Sequence, residues 1–298
     1  MLDEQRHQRQ WYAQARATPV YRAQYMPALR LASPLRLGSL VLQPVSDGVL
    51  HLDPANIFAE AQPEEWQPHV QRDADGRVEL GLTCLLVHVG DRRILIDTGF
   101  GPRSDNPGVG RLGESLAELG LAAADIDTVV LSHPHGDHIG GATTGAGEAA
   151  QVSYPAARYW LSRIDWDHHT QPEVLAERAG LADKMLPLAS AARLDLADGE
   201  QEIAPGVRLL PLPGHTPGHM GVAFTTGQEM AIYVGDLVHH PLQIDHPDWC
   251  PTFDALPPLS RATRRALVDR ARREHALVLT YHFPFPGIGR IGTAWQNV

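Results

Sequence analysis

The chain has 298 residues and a formal charge of −10, from 25 Lys and Arg against 35 Asp and Glu with its 16 histidines taken as neutral. At 43% hydrophobic and 20% charged it has ample material for a core, which excludes general disorder. The acidic balance repels phosphate backbones, so nucleic acid is not an expected partner, and no apolar run approaches the roughly 18 residues that a membrane helix needs.

Residues 1–33 are polar and rich in Arg and Gln, with Trp11, Tyr12, Tyr21 and Tyr25 interspersed. They are expected to form an N-terminal arm that packs on the body or on a second subunit, which would make a homodimer. The arm has no apolar stretch of the secretory kind, and the two cysteines, Cys84 and Cys250, cannot build a disulfide framework. Both features point to a reducing, cytoplasmic setting.

Residues 34–298 are expected to form one layered α/β domain, because no repeat or low-complexity linker divides them. Strand-like runs come first: LRLGSLVLQPVSDG from Leu35, then GLTCLLVHVG and RRILIDTG, joined as a hairpin at Gly90-Asp91. Leu116, Leu119 and Gly120 fall at helical spacing in Gly113–Leu121, and the β-branched run IDTVVLS follows as a buried strand. Trp160 to Ala179 is expected to be partly helical. VRLLPLPG, MGVAFTTG and MAIYVGD are short strands, and a helix with a face of Leu259, Ala262, Ala266, Leu267 and Ala271 precedes the strand ALVLTY. The basic run Arg264, Arg265, Arg270, Arg272 and Arg273 is assigned to the solvated side of that helix.

The decisive segment is LSHPHGDHIGG, which puts His133, His135, Asp137 and His138 within six residues directly after an apolar strand. Imidazole nitrogen and carboxylate oxygen both suit zinc and its first-row neighbours, and a tight glycine-containing loop can turn such side chains toward two centres. His215 in LPGHTPGH, Asp236 at the end of AIYVGD and His282 at the end of VLTYH each stand where a strand gives way to a loop. From such positions side chains of distant segments can converge.

With these motifs the sequence resembles the metallo-β-lactamase-fold hydrolases over roughly residues 35 to 290, and it matches their HxHxDH signature without a substitution. The resemblance implies a four-layer αββα sandwich with a dinuclear metal site at one edge. It implies that His133, His135 and His215 hold the first metal and Asp137, His138 and His282 the second, with Asp236 bridging. Asp97 in ILIDTG matches a further family motif and is expected to orient ligands by hydrogen bonds. The cofactor expected is a pair of divalent ions, zinc foremost, with manganese, cobalt and iron as alternatives. Two divalent cations outweigh the carboxylates of Asp137 and Asp236, so the site stays electrophilic, and a metal of this kind lowers the pKa of bound water to about 7.

Departures from the family pattern narrow the chemistry. True β-lactamases of the fold lack an aspartate in the place of Asp236, and flavodiiron reductases carry a flavodoxin-like domain for which residues 290 to 298 leave no room. The tail YHFPFPGIGRI, with GDLVHH and the HPDW segment, resembles the branch of methyl parathion hydrolase and related lactonases. Many lactonases of the fold place a tyrosine three residues after the bridging aspartate; here that residue is His239, expected with Asp236 to handle the proton. Phe100, Trp160, Trp166, Trp249, Phe253, Phe283 and Phe285 lie where they could rim the metals, with Phe100 and Phe283 taken as the substrate contacts. His168, His169 and His219 are assigned to hydrogen bonding or the surface.

The expected function is therefore a metal-dependent hydrolase in which a metal-bridging hydroxide attacks a small ester-like substrate, a lactone first and an organophosphate triester as a side activity. Quorum quenching is one such role. The alternatives are a diiron protein handling redox chemistry or oxygen, and a metal-binding module without catalysis.

Overall fold

The computed structural model describes residues 32–102, 106, 108–178 and 180–298. The expected arm lies outside them up to residue 31.

Two seven-stranded sheets make up the frame. The first contains β1 (Leu35–Leu37), β2 (Leu40–Leu52), β3 (Val78–Val89), β4 (Arg92–Ile96), β5 (Thr128–Val130), and, beyond the short pair β6 (Thr143–Thr144) and β7 (Gln151–Val152), β8 (Arg158–Ser162) and β9 (Leu194–Ala197). Strands β1 to β4 are antiparallel neighbours, with the expected β3–β4 turn at Gly90-Asp91. Strands β4, β5, β8 and β9 are parallel. The second sheet repeats the plan with an antiparallel run of β10 (Gln201–Ala204), β11 (Val207–Pro211), β12 (Met220–Thr226) and β13 (Glu229–Tyr233). It continues through β14 (Leu277–Leu279), parallel to β13, and closes with β15 (Ile288–Ile291) and β16 (Trp295–Asn297).

The two-residue period of these strands sorts their side chains into layers. Leu209, Ala231, Tyr233, Leu277 and Leu279 join the large cluster that also holds Leu40, Val45, Val87 and Ile96 of the first sheet. Their neighbours Leu210, Ile232, Val234 and Val278 face the other way, into a second cluster with Leu267, Val268 and Ala271. Those last three belong to a long helix on the outer face of the second sheet. Helices against the first sheet complete the αββα order; they include α3 (Leu112–Glu118) beside β2 and α5 (Arg163–His169) beside β8. The remaining helices are α1 (Pro54–Ile57), α2 (Pro63–Trp66), α4 (Gly136–Ile139), α6 (Pro172–Glu177), α7 (Leu181–Ser190), α8 (Leu242–Asp245) and α9 (Pro257–Arg273), the long helix just described.

Helix α9 departs from its expected phase. Its buried residues are Ser260, Arg264, Leu267, Val268 and Ala271, whereas Leu259, Ala262 and Ala266 are exposed. The basic run is accordingly split: Arg265, Arg272 and Arg273 face solvent, Arg270 is half-buried, and Arg264 is fully buried. An arginine on the inward stripe disguised the true period, because apolar residues alone were used to find the face. The expected helix over Gly113–Leu121 is found as α3, and Trp160 to Ala179 divides into the end of β8, α5 and α6.

Strand direction positions the site. β11, β13 and β14 run the same way, as do β4 and β5, so the loops after all five open toward one edge of the sandwich. Every residue of the expected ligand set lies in or just beyond one of these loops. Ligand sites in α/β folds sit at such carboxyl ends.

Candidate metal centre

The motif loop is locked by backbone packing against the turn that follows β4. Thr98 donates both its N–H and its hydroxyl to the His138 carbonyl, at 2.8 and 2.7 Å. A Cβ on Gly141 would lie 2.1 Å from the Thr98 carbonyl oxygen, and one on Gly140 would lie 2.3 Å from that of Phe100, so both positions require glycine. The chain runs extended to His135 and then turns into α4, which sets Asp137 and His138 side by side on one helical turn.

The structure brings all seven expected ligands together in two groups. His133, His135, His215 and Asp236 form one, and Asp137, His138, His282 and Asp236 the other; within each group the ligand atoms lie within 4.8 Å of one another. In the first, His135 Nδ1 is 2.9 Å from both His133 Nε2 and His215 Nε2, and Asp236 Oδ2 is 3.2 Å from His215 Nε2 and 3.7 Å from His133 Nε2. In the second, Asp236 Oδ1 is 3.0 Å from His138 Nε2, and Asp137 Oδ2 is 3.6 Å from His138 Nε2 and 3.5 Å from His282 Nε2. Metal–ligand bonds of about 2.0–2.2 Å in a tetrahedron put ligand atoms about 3.3–3.6 Å apart, so these spacings fit two four-coordinate centres sharing one carboxylate.

Hydrogen bonding gives an independent indication. His138 Nε2 and Asp236 Oδ1 are buried and 3.0 Å apart, yet neither finds a hydrogen-bond partner among the described residues. A buried polar pair left in that state is costly unless a third species lies between.

Four of the five rings are oriented from behind. His138 Nδ1 donates to Asp97 Oδ2 at 2.9 Å, His215 Nδ1 to Asp254 Oδ1 at 2.9 Å, and His282 Nδ1 to the Gly81 carbonyl at 3.0 Å. Ser132 Oγ gives its proton to Asp97 Oδ2 and lies 3.1 Å from His133 Nδ1. Each bond turns the opposite nitrogen toward the centre, the usual arrangement behind a metal-binding histidine. Asp97 is fully buried and also accepts from the Ser132 N–H at 2.7 Å and the Tyr233 hydroxyl at 2.8 Å.

Charge follows geometry. Burial alone would lower the His138 pKa, but the carboxylates of Asp236, Asp137 and Asp97 raise it well above the usual value. His215 behaves likewise and is raised to about 9, with Asp236 and Asp254 outweighing burial. Burial and neighbouring rings push His133 and His135 well below theirs. Asp236 would be raised by burial, yet His138, His282 and His239 hold it well below the carboxylate range. Metal binding to such a cluster displaces the protons held on His138 and His215.

The surrounding residues divide differently from expectation. His239 reaches Asp236 Oδ2 with Nε2 at 3.3 Å and stacks on the His282 ring, centroids 5.0 Å apart. Burial lowers its pKa to about 4, so the ring is neutral at physiological pH and its buried Nδ1 has no partner among the described residues. Phe283 is 1% exposed and packs in the second apolar cluster against Trp295, and Phe100 lies in the main core. Neither ring stands on the rim. The aromatic rings at the centre include Tyr281, fully buried with its centroid 4.0 Å from that of His138, and Phe253, half-buried and edge-on to His239 at 4.8 Å and to His215 at 6.0 Å.

His219 bonds as expected, donating to the Leu212 carbonyl at 3.0 Å and accepting the Asp236 N–H at 3.1 Å. His169 donates to the Asp165 carbonyl at 2.9 Å, and His168 is exposed. Sequence reasoning missed Asp254 behind His215, and Asp165, which accepts from the Thr216 hydroxyl at 2.6 Å and the Gly218 N–H at 2.8 Å to hold the His215 loop on α5. Neither sits in a recognisable motif, and only the fold brings them near. The two cysteines are free and buried.

Residues 78–282 match the family model described as the metallo-beta-lactamase superfamily. A probable metallo-hydrolase of Mycobacterium tuberculosis is 31% identical over 191 residues, 54% of this chain and 58% of that protein. N-acyl homoserine lactonase AiiB of Agrobacterium fabrum is 29% identical over 172 residues, 49% of this chain and 58% of that one. The match thus spans 58% of the length of these relatives. Among solved structures, AidC, a dizinc quorum-quenching lactonase in complex with a product, superposes with a TM-score of 0.77 at 26% identity, covering 89% of this chain and 97% of its own. The hydrolase AbOPH superposes at 0.80 with 21% identity over 91% and 98%, which bears on the fold alone. Five histidines and two aspartates in one dinuclear arrangement, on this fold and within the matched residues, leave one assignment: the chain belongs to the metallo-beta-lactamase superfamily.

Proposed function

We propose that this chain is a dinuclear metal-dependent hydrolase that opens a lactone. The observation that carries the metal reading is Asp236, whose carboxylate lies within reach of both groups of ligands, while its Oδ1 and His138 Nε2, 3.0 Å apart, are buried without a hydrogen-bond partner among the described residues. His133, His135 and His215 would hold one ion and Asp137, His138 and His282 the other, with Asp236 within reach of both, and Asp97 would fix the ring of His138. Imidazole and carboxylate ligands favour zinc, with manganese, cobalt and iron as competitors set by supply.

When bound, such a metal pair supplies Lewis acidity toward the oxygen under attack and hydroxide at neutral pH. The chain's own residues supply position and proton handling. His239 donates Nε2–H to Asp236, so its bare Nδ1 is a proton acceptor. Phe253 packs edge-on against the same ring. The lactone assignment rests on AiiB and AidC, whose names describe lactone hydrolysis, and on the sequence likeness to them. No helix among the described residues is long and apolar enough to cross a membrane. Two free thiols support a cytoplasmic, reducing setting.

The test is elemental analysis of purified protein beside turnover of a lactone series and a phosphotriester series. Two metals with lactone hydrolysis is the expected result. Phosphotriester turnover alone would move the substrate to phosphorus, two irons with redox turnover and no hydrolysis would replace the reading with a diiron protein, and two metals without any turnover would leave a binding module.

A further inference from the structure

The largest fully buried side chain is that of Arg264, and it is absent from every expectation about the site. Its guanidinium spends its donors on one stretch of chain. Nε donates to the Leu237 carbonyl at 2.7 Å, and Nη1 to those of Pro247 and Trp249 at 2.7 and 3.2 Å. Nη2 donates to Asp254 Oδ2 at 3.2 Å and lies 3.3 Å from Ser260 Oγ, which itself donates to Asp254 Oδ2 at 2.7 Å.

Two paths run from this group to the metal centre. One passes through Asp254, whose other oxygen accepts the His215 Nδ1 proton at 2.9 Å. The other passes through the Trp249 carbonyl, which also accepts from Gln243 Nε2 at 2.9 Å; Gln243 Oε1 in turn accepts the His239 N–H at 2.6 Å. His215 and His239 both meet Asp236 Oδ2, at 3.2 and 3.3 Å, so the circuit closes on the shared carboxylate. Phe253 lies on the segment it encloses.

We infer that Arg264 is a positioning residue: through Asp254 it orients His215 in the three-histidine half of the centre, and through Trp249 and Gln243 it places His239 and the Phe253 segment. A buried ion pair is weak evidence of added stability, but removing either member strands the other. Only a planar fork can serve the Leu237, Trp249 and Asp254 acceptors at once, which a lysine ammonium cannot. The inference rests on the dinuclear reading above.

The experiment is a cobalt titration of metal-stripped protein, followed by visible absorption, in the natural chain and in Asp254→Asn, Arg264→Lys and Ser260→Ala. An asparagine can still accept from His215, but its amide then faces the donors of Ser260 and Arg264. Asp254→Asn and Arg264→Lys are expected to weaken one of two cobalt equivalents by roughly 10- to 100-fold and leave the other unchanged. Ser260→Ala removes one donor and keeps the ion pair, so it shifts the same equivalent by roughly two- to tenfold, and it carries the test alone if the other variants do not fold. Unaltered binding of both equivalents in every folded variant, or recovery of full affinity by Arg264→Lys, overturns the inference. Fewer than two equivalents in the natural chain would instead defeat the dinuclear reading itself.

Discussion

The two sheets contribute to the centre in opposite ways. The first supplies His133, His135, Asp137 and His138 from one loop after β5, whereas the second supplies His215, Asp236 and His282 from three loops after β11, β13 and β14. In the first case a single backbone conformation, pressed glycine to carbonyl against the Asp97 turn, places every side chain. In the second no backbone segment spans the ligands, and separate hydrogen bonds hold them: Asp254 behind His215, His219 against the Asp236 amide, and the Gly81 carbonyl of the opposite sheet against His282. The neighbouring ligands share one packed loop, with Asp97 behind His138, whereas each dispersed ligand has a long-range hydrogen bond of its own.

The residue common to both halves offers the strongest way to break this contrast. Asp236→Ala removes a ligand from each group and takes from His138 Nε2 its nearer carboxylate, leaving that of Asp137 at 3.6 Å. Both metals are expected to be lost under chelator challenge, with turnover falling by more than the roughly hundredfold that losing an orienting partner costs. Metal content and hydrolysis of the purified variant check this; a chain that keeps two metals and full turnover would remove Asp236 from the site.

Two buried aspartates hold the flanking loops, and their pH responses sharpen the comparison. Asp47 in β2 accepts from the N–H groups of Phe100 and Gly110 at 2.9 and 3.1 Å and of Leu112 at 2.9 Å, pinning the segment after the Asp97 turn. Asp165 does the same for the His215 loop. Burial raises Asp47 to about 7 and Asp165 to about 6, in both cases against the hydrogen bonds that lower them. The native chain therefore keeps a proton on Asp47 that the unfolded chain has lost, so stability falls as pH rises from the unfolded value of 3.8 toward 7. The shift of about three units amounts to about 4 kcal/mol. Urea unfolding at pH 5 and pH 8 spans the last two of those units and should show a loss of about 3 kcal/mol in the natural chain, with a flatter profile in Asp47→Asn. Equal slopes in the two would assign the pH dependence elsewhere.

Asp97→Asn acts directly on one half, through His138, and only through Ser132 behind His133 on the other. The native carboxylate accepts four hydrogen bonds, and an amide must turn a donor toward at least one of those partners. The group built on Asp137, His138 and His282 is expected to bind its metal roughly 10- to 100-fold more weakly, with a smaller loss in the three-histidine group. Equal weakening of both equivalents would show that the halves are not independent.

The same contrast explains what the sequence made legible. The motif loop could be located because its ligands are neighbours in the chain, and Asp97 because ILIDTG resembles a further motif of the family. Asp236 and His282 also stand at strand ends, where the change from apolar run to loop marks them. Asp254 and Arg264 carry no such mark: one lies in a loop among Pro, Thr and Phe, and the other among arginines of which most face water. Their partnership exists only once α9 is laid on the second sheet. The aromatic contacts failed for the related reason that a phenylalanine beside a ligand in sequence alternates away from it in space, as Phe283 does after His282.

That alternation yields the smallest and most specific expectation. Phe253 is half-buried with its ring against His239, whereas Phe283 is enclosed with Trp295. Truncating Phe253 to alanine removes an apolar wall beside the reacting group and little core. KM for lactones with long apolar chains should rise roughly three- to tenfold, in line with the 0.5–1.5 kcal/mol typical of an aromatic contact, while kcat for short lactones holds. Phe283→Ala should do the reverse, lowering stability by about 3–5 kcal/mol with KM unchanged in the folded fraction. Steady-state kinetics across chain length, paired with denaturant unfolding of both variants, separates the two. A rise in KM with Phe283→Ala and none with Phe253→Ala would return the substrate contact to the residue adjoining His282 and require the loop after β14 to open toward the metals.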